Sequence, residues 1–142
     1  MNLDVSHVRT ALRTLERAAA AVQQTVPTDP LYDVYRLAVI KSFELTIELT
    51  AKLLRKTLRE YAGSARAVDG LSFNELFRLA GQSRLLDAAA VGRWLAYRAN
   101  RNSTAHDYGE EFVRDTLQLL PTYVRDADAV LDIVAGGSRG VA

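Results

Sequence analysis

Apolar residues recur at intervals of three and four positions along almost the whole of this 142-residue chain. That spacing places them on one face of an α-helix, whose side chains repeat about every 3.6 residues. A half-buried β-strand needs strict alternation of apolar and polar residues, and no segment of the sequence shows it. The pattern therefore restricts the chain to an all-α fold.

Prolines separate the first two predicted helices. One apolar stripe predicts an opening helix of about two dozen residues, and its members are Val5, Val8, Leu12, Leu15, Ala19, Val22 and Val26. The segment from Pro27 to Pro30 ends this helix and opens the next, because proline is disfavoured inside a helix and favoured in its first turn.

The second predicted helix runs from about Leu31 to Tyr61 and carries two apolar stripes. The first stripe consists of Ile40, Phe43, Ile47, Ala51, Leu54, Leu58 and Tyr61. The second consists of Leu37, Leu45, Leu49 and Leu53. Two stripes mean that the helix is covered on more than one side, so it is either the central helix of a bundle or also a contact with a second subunit.

Shorter signals divide the middle of the chain. Residues 63–70 predict a loop, and the sequence from Ser72 to Glu75 is typical of a capping box at the start of a short helix. Gly81 is predicted to close that helix. Asp87 can then cap a fourth helix.

The last predicted helix begins near Gly109, where two glutamates follow and suit its positive end. Pro121 lies inside its pattern and should kink the helix or split it in two. The glycine-rich residues 136–142 predict a flexible C-terminal tail. We therefore predict a single domain over residues 1–135, an antiparallel up-and-down bundle of four-helix type with one extra short helix.

Composition excludes several classes of function. The chain has no cysteine, so disulfides, thiolate metal sites and cysteine nucleophiles are excluded, which fits a reducing compartment. The N-terminal residues lack the features of a signal peptide, and no apolar run is long enough to span a membrane. The formal net charge of +1 gives no global attraction to nucleic acid. We predict a cytoplasmic protein that makes no membrane contact.

The segment from Arg101 to Tyr108 concentrates polar chemistry between the fourth and last predicted helices. Arg101, Asn102 and His106 form a compact set that can hold an anion and transfer a proton, as phosphate-ester chemistry requires. The sequence contains no glycine-rich phosphate loop, no His-Glu-x-x-His helix and no carboxylate-rich cluster. We therefore predict neither a metal nor a cofactor.

Two segments resemble the HEPN domain family, whose members are all-α proteins of this length. The arginine, polar residue and histidine from Arg101 to His106 resemble the HEPN signature, and Tyr108 matches the His-x-Tyr extension of HEPN toxins paired with a minimal nucleotidyltransferase (MNT) antitoxin. Ser42–Leu54 is similar to the long-helix segment of the nucleotidyltransferase substrate-binding branch. The resemblance covers residues 31–131, so the predicted bundle would be a HEPN-like domain.

The resemblance implies the toxin of a type VII-like toxin–antitoxin system, a homodimeric and metal-independent endoribonuclease that acts on an RNA such as tRNA or mRNA. Cleavage of this kind uses the ribose 2′-hydroxyl as nucleophile. His106 would then transfer protons, Arg101 would stabilise the anionic phosphorane, and Asn102 would orient the phosphate or the imidazole. In relatives paired with an antitoxin, the tyrosine in the position of Tyr108 accepts AMP from the nucleotidyltransferase, which would block the RNA cleft.

Structural interpretations stand beside several of these roles. Arg98, one helical turn before Arg101, could add phosphate affinity or be displayed on the surface. We favour a helix-capping role for Asp107. Trp94 and Tyr97 could stack on bases, although helix packing is their more usual role.

Two other functions fit the same sequence. One is a non-catalytic subunit that presents a substrate to a minimal nucleotidyltransferase. The other is a helical scaffold whose motif has drifted, and the joint presence of the arginine, polar residue, histidine and tyrosine argues against it. The first two hypotheses share a fold and a nucleotidyltransferase partner.

Overall fold

Six helices make up the part of the chain that the structure describes, residues 3–103 and 110–136 of a computed structural model. The helices are α1 (Ser6–Gln23), α2 (Pro30–Ala62), α3 (Ala65–Asp69), α4 (Phe73–Gln82), α5 (Ala88–Ser103) and α6 (Glu110–Val134). No strand occurs within these residues. The predicted all-α fold is confirmed, and the predicted tail falls, after Gly136, outside the described residues.

The long helices α1, α2, α5 and α6 form an up-and-down bundle. α1 runs antiparallel to α6, because the backbone N–H of Leu3 donates to the carbonyl of Val134 while Arg13, further along α1, binds Asp128 further back on α6. α5 is also antiparallel to α6, because Arg93 near its start binds Asp126 while Asn100 near its end binds Thr116, further back on α6. α2 reverses the direction of α1 across the short turn that follows Gln23.

Local signals of the expected kind set the ends of α2. The Asp29 carboxylate accepts a hydrogen bond from the backbone N–H of Leu31 at 2.9 Å, and Pro30 occupies the first turn. Gly63 ends the helix in the left-handed conformation, with φ of 70°. The 33 residues make α2 about 50 Å long, and it packs against each of the other five helices.

An aromatic cluster fills the space where α2, α4, α5 and α6 meet. Trp94 of α5 stacks on Phe77 of α4 with ring centroids 4.8 Å apart, and it meets Tyr123 of α6 edge to face. Tyr123 also packs edge to face on Phe43 of α2 at 4.9 Å. All four rings are fully buried, so four helices share one continuous core.

The hydroxyl of Tyr123 has a partner inside this core. It lies 2.6 Å from the Thr46 hydroxyl, which also lies 3.1 Å from the carbonyl of Phe43 and can donate to it. Burial raises the pKa of Tyr123, although the hydrogen bond with Thr46 opposes the shift. The neutral phenol therefore links α2 to α6 with a hydrogen bond that fixes their relative register.

The predicted loop over residues 63–70 is wrong in one respect, because it contains α3. The Ser64 hydroxyl caps α3 by accepting from the backbone N–H of Ala67, and Val68 is buried. Arg55 of α2 donates to the Val68 carbonyl at 2.7 Å. A helix of five residues is too short to show apolar periodicity, so the sequence pattern does not predict it. Tertiary contacts and one cap stabilise it instead.

The capping box at Ser72 and Glu75 is confirmed, but the role predicted for Gly81 is wrong. α4 continues through Gly81 to Gln82, so the glycine lies inside the helix. A Cβ at this position would stand 2.9 Å from Cγ2 of Val91 on α5. Gly81 therefore allows α4 and α5 to approach closely, a tertiary requirement that the local sequence does not show.

α6 passes through Pro121 without a break, so the predicted split does not occur. Proline removes one N–H donor from the helix, and the cost is reduced where water can reach the unpaired carbonyl. Pro121 lies on an exposed part of α6. No helix in the described part of the chain combines the length and apolar character needed to cross a bilayer.

The two apolar stripes of α2 have different environments. The first is buried in the bundle except for the half-buried Ala51 and the exposed Tyr61 at its C-terminal end. In the second, Leu37 and Leu45 are 51% and 46% exposed. Leu31 and Val34 are also exposed and lie on the same side of the helix. We call Leu31, Val34, Leu37 and Leu45 the α2 apolar face. α2 is therefore the central helix and also presents apolar surface to its surroundings.

Candidate functional site

The predicted motif lies at the junction of α5 and α6. Arg101 and Asn102 belong to the last turn of α5, which ends at Ser103, and α6 begins at Glu110. The side chains of Arg101 and Asn102 lie outside the described part, as do His106, Asp107 and Tyr108 entirely. The roles of these five residues therefore stay predictions, and the geometry described below is that of the helices on either side of the motif.

Asp87 starts α5, as predicted. Its carboxylate accepts a hydrogen bond from the backbone N–H of Ala90 at 2.7 Å, and its carbonyl accepts from the N–H of Val91. A carboxylate near a helix N-terminus satisfies free N–H groups and interacts favourably with the helix dipole. The start of the motif-bearing helix is therefore set by local sequence.

The first connection between α5 and α6 is an ionic cluster around Asp126. Arg93 donates two hydrogen bonds to the Asp126 carboxylate, through Nε at 2.7 Å and through Nη2 at 2.9 Å. The Tyr97 hydroxyl donates a third at 2.5 Å. Asp126 is 6% exposed, so two donors from successive turns of α5 satisfy a carboxylate that is almost excluded from water.

Opposing effects act on the protonation of Asp126. Burial alone would raise its pKa, but the hydrogen bonds from Arg93 and Tyr97 outweigh burial and lower it. Burial and the hydrogen bond to Asp126 raise the pKa of Tyr97. At neutral pH the cluster therefore consists of a carboxylate, a guanidinium and a neutral phenol, the combination in which both carboxylate oxygens accept hydrogen bonds.

The second connection lies nearer to the motif. Asn100 donates a hydrogen bond to the hydroxyl of Thr116 at 3.2 Å, and Thr116 is fully buried on α6. Asn100 directly precedes Arg101. The Asp126 cluster and the pair of Asn100 with Thr116 thus hold α5 against α6 at two points, which fixes the direction of the helical turn that carries the predicted arginine.

Arg98, the predicted phosphate-binding residue, lies half-buried on α5. Its guanidinium carbon is 5.2 Å from the centre of the Phe73 ring, within the range of a cation–π interaction. The contact joins the last turns of α5 to the first turn of α4. A role for Arg98 in binding phosphate stays a prediction.

Trp94 and Tyr97 belong to the core. They are 0% and 4% exposed, and their rings meet edge to face at 5.4 Å. Neither ring face is available to a nucleic-acid base, so helix packing is their role and base stacking is not.

Four residues of these two connections were not predicted from the sequence: Arg93, Asn100, Thr116 and Asp126. Asp126 carried a usable signal, because it stands on the side of α6 that also presents the apolar residues Tyr123, Ala127 and Val130. A carboxylate in an apolar stripe needs a buried donor. Its donors lie 33 and 29 positions away, a separation that no local pattern specifies.

Comparison with known proteins assigns the chain to a family. Residues 3–135 match the family model described as "nucleotidyltransferase substrate binding protein like". The chain belongs to this family. The match spans all six helices and both sides of the motif, so the family encompasses the whole bundle and not the motif alone.

Solved structures share the fold of this family member. A crystal structure of a protein from Thermus thermophilus is 31% identical, with a TM-score of 0.70, and the match covers 89% of this chain and 98% of that one. A protein from Haemophilus influenzae matches with a TM-score of 0.76 and 20% identity over 92% of this chain and 98% of its own. Its structure is described as revealing the fold of a substrate-binding domain of a nucleotidyltransferase.

A curated relative carries a different description. The probable ribonuclease HepT of Haemophilus influenzae is 31% identical over 72 residues, which amount to 51% of this chain and 48% of the relative. The match therefore spans about half the length of that protein. The proteins that resemble this chain thus carry both substrate-binding and ribonuclease descriptions.

Replacing Asp126 with asparagine should destabilise the bundle. Asparagine has nearly the same size but loses the charge that Arg93 and Tyr97 satisfy, and we expect the free energy of unfolding at pH 7 to fall by about 1.5–3 kcal/mol. Urea denaturation followed by circular dichroism measures this quantity. Asp115→Asn, at an exposed position of the same helix, is the control and should change it by less than about 0.5 kcal/mol.

The effect of Asp126→Asn should also depend on pH. A carboxylate whose pKa is lowered in the folded state stabilises the protein above its unfolded pKa of about 3.9, and that contribution disappears as the pH falls through the lower folded pKa. The difference between wild type and variant should therefore shrink below about pH 4. A difference that stays constant down to about pH 2 would contradict the ionic interpretation.

Proposed function

We propose that this protein is the toxin of an MNT–HEPN pair and acts as a metal-independent endoribonuclease. The observation that carries the proposal is the position of Arg101 and Asn102 in the last turn of α5, with His106 following before α6, in a member of the nucleotidyltransferase substrate-binding protein-like family. The similarity of half the chain to a probable ribonuclease HepT supports it. The proposed site lies where two helices end and polar backbone groups are available.

The chemistry assigned to these residues balances without an added reagent. The ribose 2′-oxygen attacks the adjacent phosphorus, the bond from phosphorus to the 5′-oxygen breaks, and a 2′,3′-cyclic phosphate remains. His106 takes the proton of the 2′-hydroxyl, and a histidine returns a proton to the leaving 5′-oxygen. Arg101 stabilises the charge of the phosphorane, and Asn102 orients the phosphate or the imidazole.

This mechanism favours a homodimer. The motif contains one histidine, so acid and base roles need either His106 from two subunits or a single histidine that transfers both protons. The α2 apolar face offers a contact surface, since its four side chains fall within about a third of the helix circumference and are 46–56% exposed. The junction of α5 and α6 must also approach the symmetry axis if the two motifs are to share a cleft.

We further propose that a nucleotidyltransferase antitoxin controls the site through Tyr108. Tyr108 is two residues from His106, so AMP on its hydroxyl would add bulk and negative charge beside the bound RNA. Repulsion between added phosphate and the RNA backbone would then block binding.

A second candidate function is a non-catalytic subunit that presents a substrate to a nucleotidyltransferase. The description of the family, which names substrate binding and no nuclease, favours it. The Haemophilus influenzae protein of known structure is likewise described as a substrate-binding domain. Both candidates involve the same partner class, and they differ in whether the motif cleaves RNA.

The nuclease proposal predicts growth arrest on expression and cleavage of RNA by the purified protein in the presence of EDTA. Arg101→Ala and His106→Ala should each lower the cleavage rate by about 100-fold or more, since one removes the phosphorane contact and the other the proton-transfer group. Time courses on total RNA, resolved on denaturing gels, measure the rate.

His7→Ala is the matched control, because His7 is the other histidine and lies exposed on α1. It should cleave at the wild-type rate. A wild-type protein that cleaves nothing but still forms a complex with the nucleotidyltransferase would support the substrate-binding subunit instead. Variants at Arg101 and His106 that remain fully active would exclude the proposed catalytic roles.

The control mechanism predicts a covalent change at Tyr108. Co-expression with a nucleotidyltransferase encoded beside this protein should add one or more AMP groups to the peptide that contains Tyr108, and growth should recover. Tyr108→Phe should keep its ribonuclease activity and escape neutralisation. Mass spectrometry of the peptide is the measurement, and an unmodified peptide in cells rescued by an active partner would contradict this role.

The dimer proposal predicts that acidic residues on the α2 apolar face separate the subunits. Leu37→Glu combined with Leu45→Glu should convert a dimer into a monomer, because burial of two unpaired carboxylates at an interface is unfavourable. Sedimentation velocity measures the mass. Val26 is also apolar and exposed but lies outside α2, so Val26→Glu should leave a dimer intact. A Leu37→Glu, Leu45→Glu double variant that stays dimeric would rule out this face as the contact.

A further inference from the structure

A cavity of about 440 Å³ lies where the end of α1, the beginning of α2 and the beginning of α6 meet. Among the described residues its lining consists of Gln23, Tyr32, Val113, Arg114, Leu117 and Gln118. The volume falls within the range of small-molecule sites, which is about 300–1,000 Å³. None of these residues belongs to the predicted motif.

The lining combines three kinds of chemistry. Val113 is buried and Leu117 half-buried, so they form an apolar floor, and the half-buried ring of Tyr32 stands beside it. The exposed carboxamides of Gln23 and Gln118 can both donate and accept hydrogen bonds. A nucleic-acid base, which is a planar ring with polar edges, matches such a surface. The base can stack on an aromatic side chain while amides form hydrogen bonds with the edge of the base.

Arg114 adds a positive charge to this cavity. Its side chain is exposed, and the structure shows no ion pair between it and any other side chain that is described. A guanidinium binds phosphate through a fork of N–H donors. The cavity is thus lined by an aromatic ring, two amides and an arginine, which together can bind both the base and the phosphate of a nucleotide.

We infer that this cavity is a nucleotide-binding subsite, in which Tyr32 stacks on the base, Gln23 and Gln118 bond to its edge and Arg114 binds a phosphate. The inference rests on the proposed function for its ligand, a nucleotide of the single-stranded RNA that enters the cleft. The same chemistry would bind a free nucleotide, as a subunit that presents substrate to a nucleotidyltransferase requires.

The position of the cavity suits a strand that continues to the motif. Asn100, the residue before Arg101, contacts Thr116, and Thr116 lies between Arg114 and Leu117 on α6. The last turn of α5, where the motif begins, and the cavity therefore flank the same two turns of α6, on different sides of the helix. A helix with its side chains is about 10–12 Å across, a distance that a short stretch of single-stranded RNA can bridge.

The test uses the full-length protein and a fluorescent single-stranded 2′-O-methyl oligoribonucleotide, which binds like RNA but cannot be cut. Tyr32→Leu keeps an apolar side chain and removes the stacking surface, so the Kd should rise by about fivefold or more. Fluorescence anisotropy measures the Kd. Tyr61→Leu is the matched control, because Tyr61 is an exposed tyrosine at the other end of α2, and its Kd should be unchanged.

The phosphate contact has a separate test. Arg114→Gln should weaken binding and reduce the slope of log Kd against log salt concentration by about 0.7, the value for one phosphate contact on a single strand. Arg125→Gln, another exposed arginine on α6, should leave the slope at its wild-type value. A higher Kd with an unchanged slope of log Kd against log salt concentration would overturn the assignment of Arg114 to phosphate binding.

A second arm distinguishes the source of the nucleotide. AMP and ATP are titrated against wild type and Tyr32→Leu by isothermal calorimetry. Loss of oligonucleotide binding in the variant supports a subsite for the strand, and loss of AMP or ATP binding supports a subsite for a free nucleotide. If wild type binds none of these ligands, or if Tyr32→Leu and Arg114→Gln bind like their controls, the subsite does not exist.

These binding measurements are independent of cleavage. A wild type that cuts RNA while Tyr32→Leu binds normally would overturn the subsite and leave the nuclease proposal standing. A wild type that cuts no RNA, with binding that still depends on Tyr32 and Arg114, would refute the nuclease and retain the subsite.

Discussion

The buried carboxylate of Asp126 is the constraint on which the arrangement of α5 and α6 depends. A charge that is almost excluded from water is tolerated only when hydrogen-bond donors surround it, and both donors come from α5, one turn apart. Rotation of α5 about its axis, or a shift along α6, would remove Arg93 or Tyr97 from reach. One ionic cluster thus specifies rotation and register together, which apolar contacts alone specify less strictly.

Hydrogen bonds around the aromatic cluster extend this restriction to the other helices. Tyr123 lies against Thr46 on α2, and Asn100 donates to Thr116 just before the motif. The contact of Asn100 with Thr116 orients the end of α5, the turn to which Arg101 belongs. Catalysis and substrate presentation both need side chains from two helices to hold a fixed geometry. Both candidate functions therefore require that α5 be held in a fixed position against α6.

α2 shows how one helix can serve both the core and the surface. α2 contacts all the other helices, while the α2 apolar face remains exposed along its first half. The cavity beside Tyr32 begins at the same end of the helix. The end of the bundle nearest the motif thus combines apolar surface, an aromatic ring and an arginine, whereas the core near Trp94 is closed to ligands.

Features that depend on neighbouring residues could be predicted from the sequence alone. Spacing of three and four predicted the long helices. Asp29, Ser72 and Asp87 set the first turns of α2, α4 and α5, because a cap acts on N–H groups within three positions. The motif between Arg101 and Tyr108 was equally visible, since its residues are adjacent in the chain.

Which distant side chains meet depends on how the helices pack, and the sequence pattern does not specify it. The partners of Asp126, the close approach of α4 and α5 at Gly81, and the helix α3 all depend on contacts between separate elements. The second stripe of α2 was visible in the sequence, but the packing of the bundle decided that Leu37 and Leu45 stay exposed while Leu53 is buried. Helix formation is governed by local hydrogen bonds, whereas burial depends on the other helices, which the spacing within one helix does not encode.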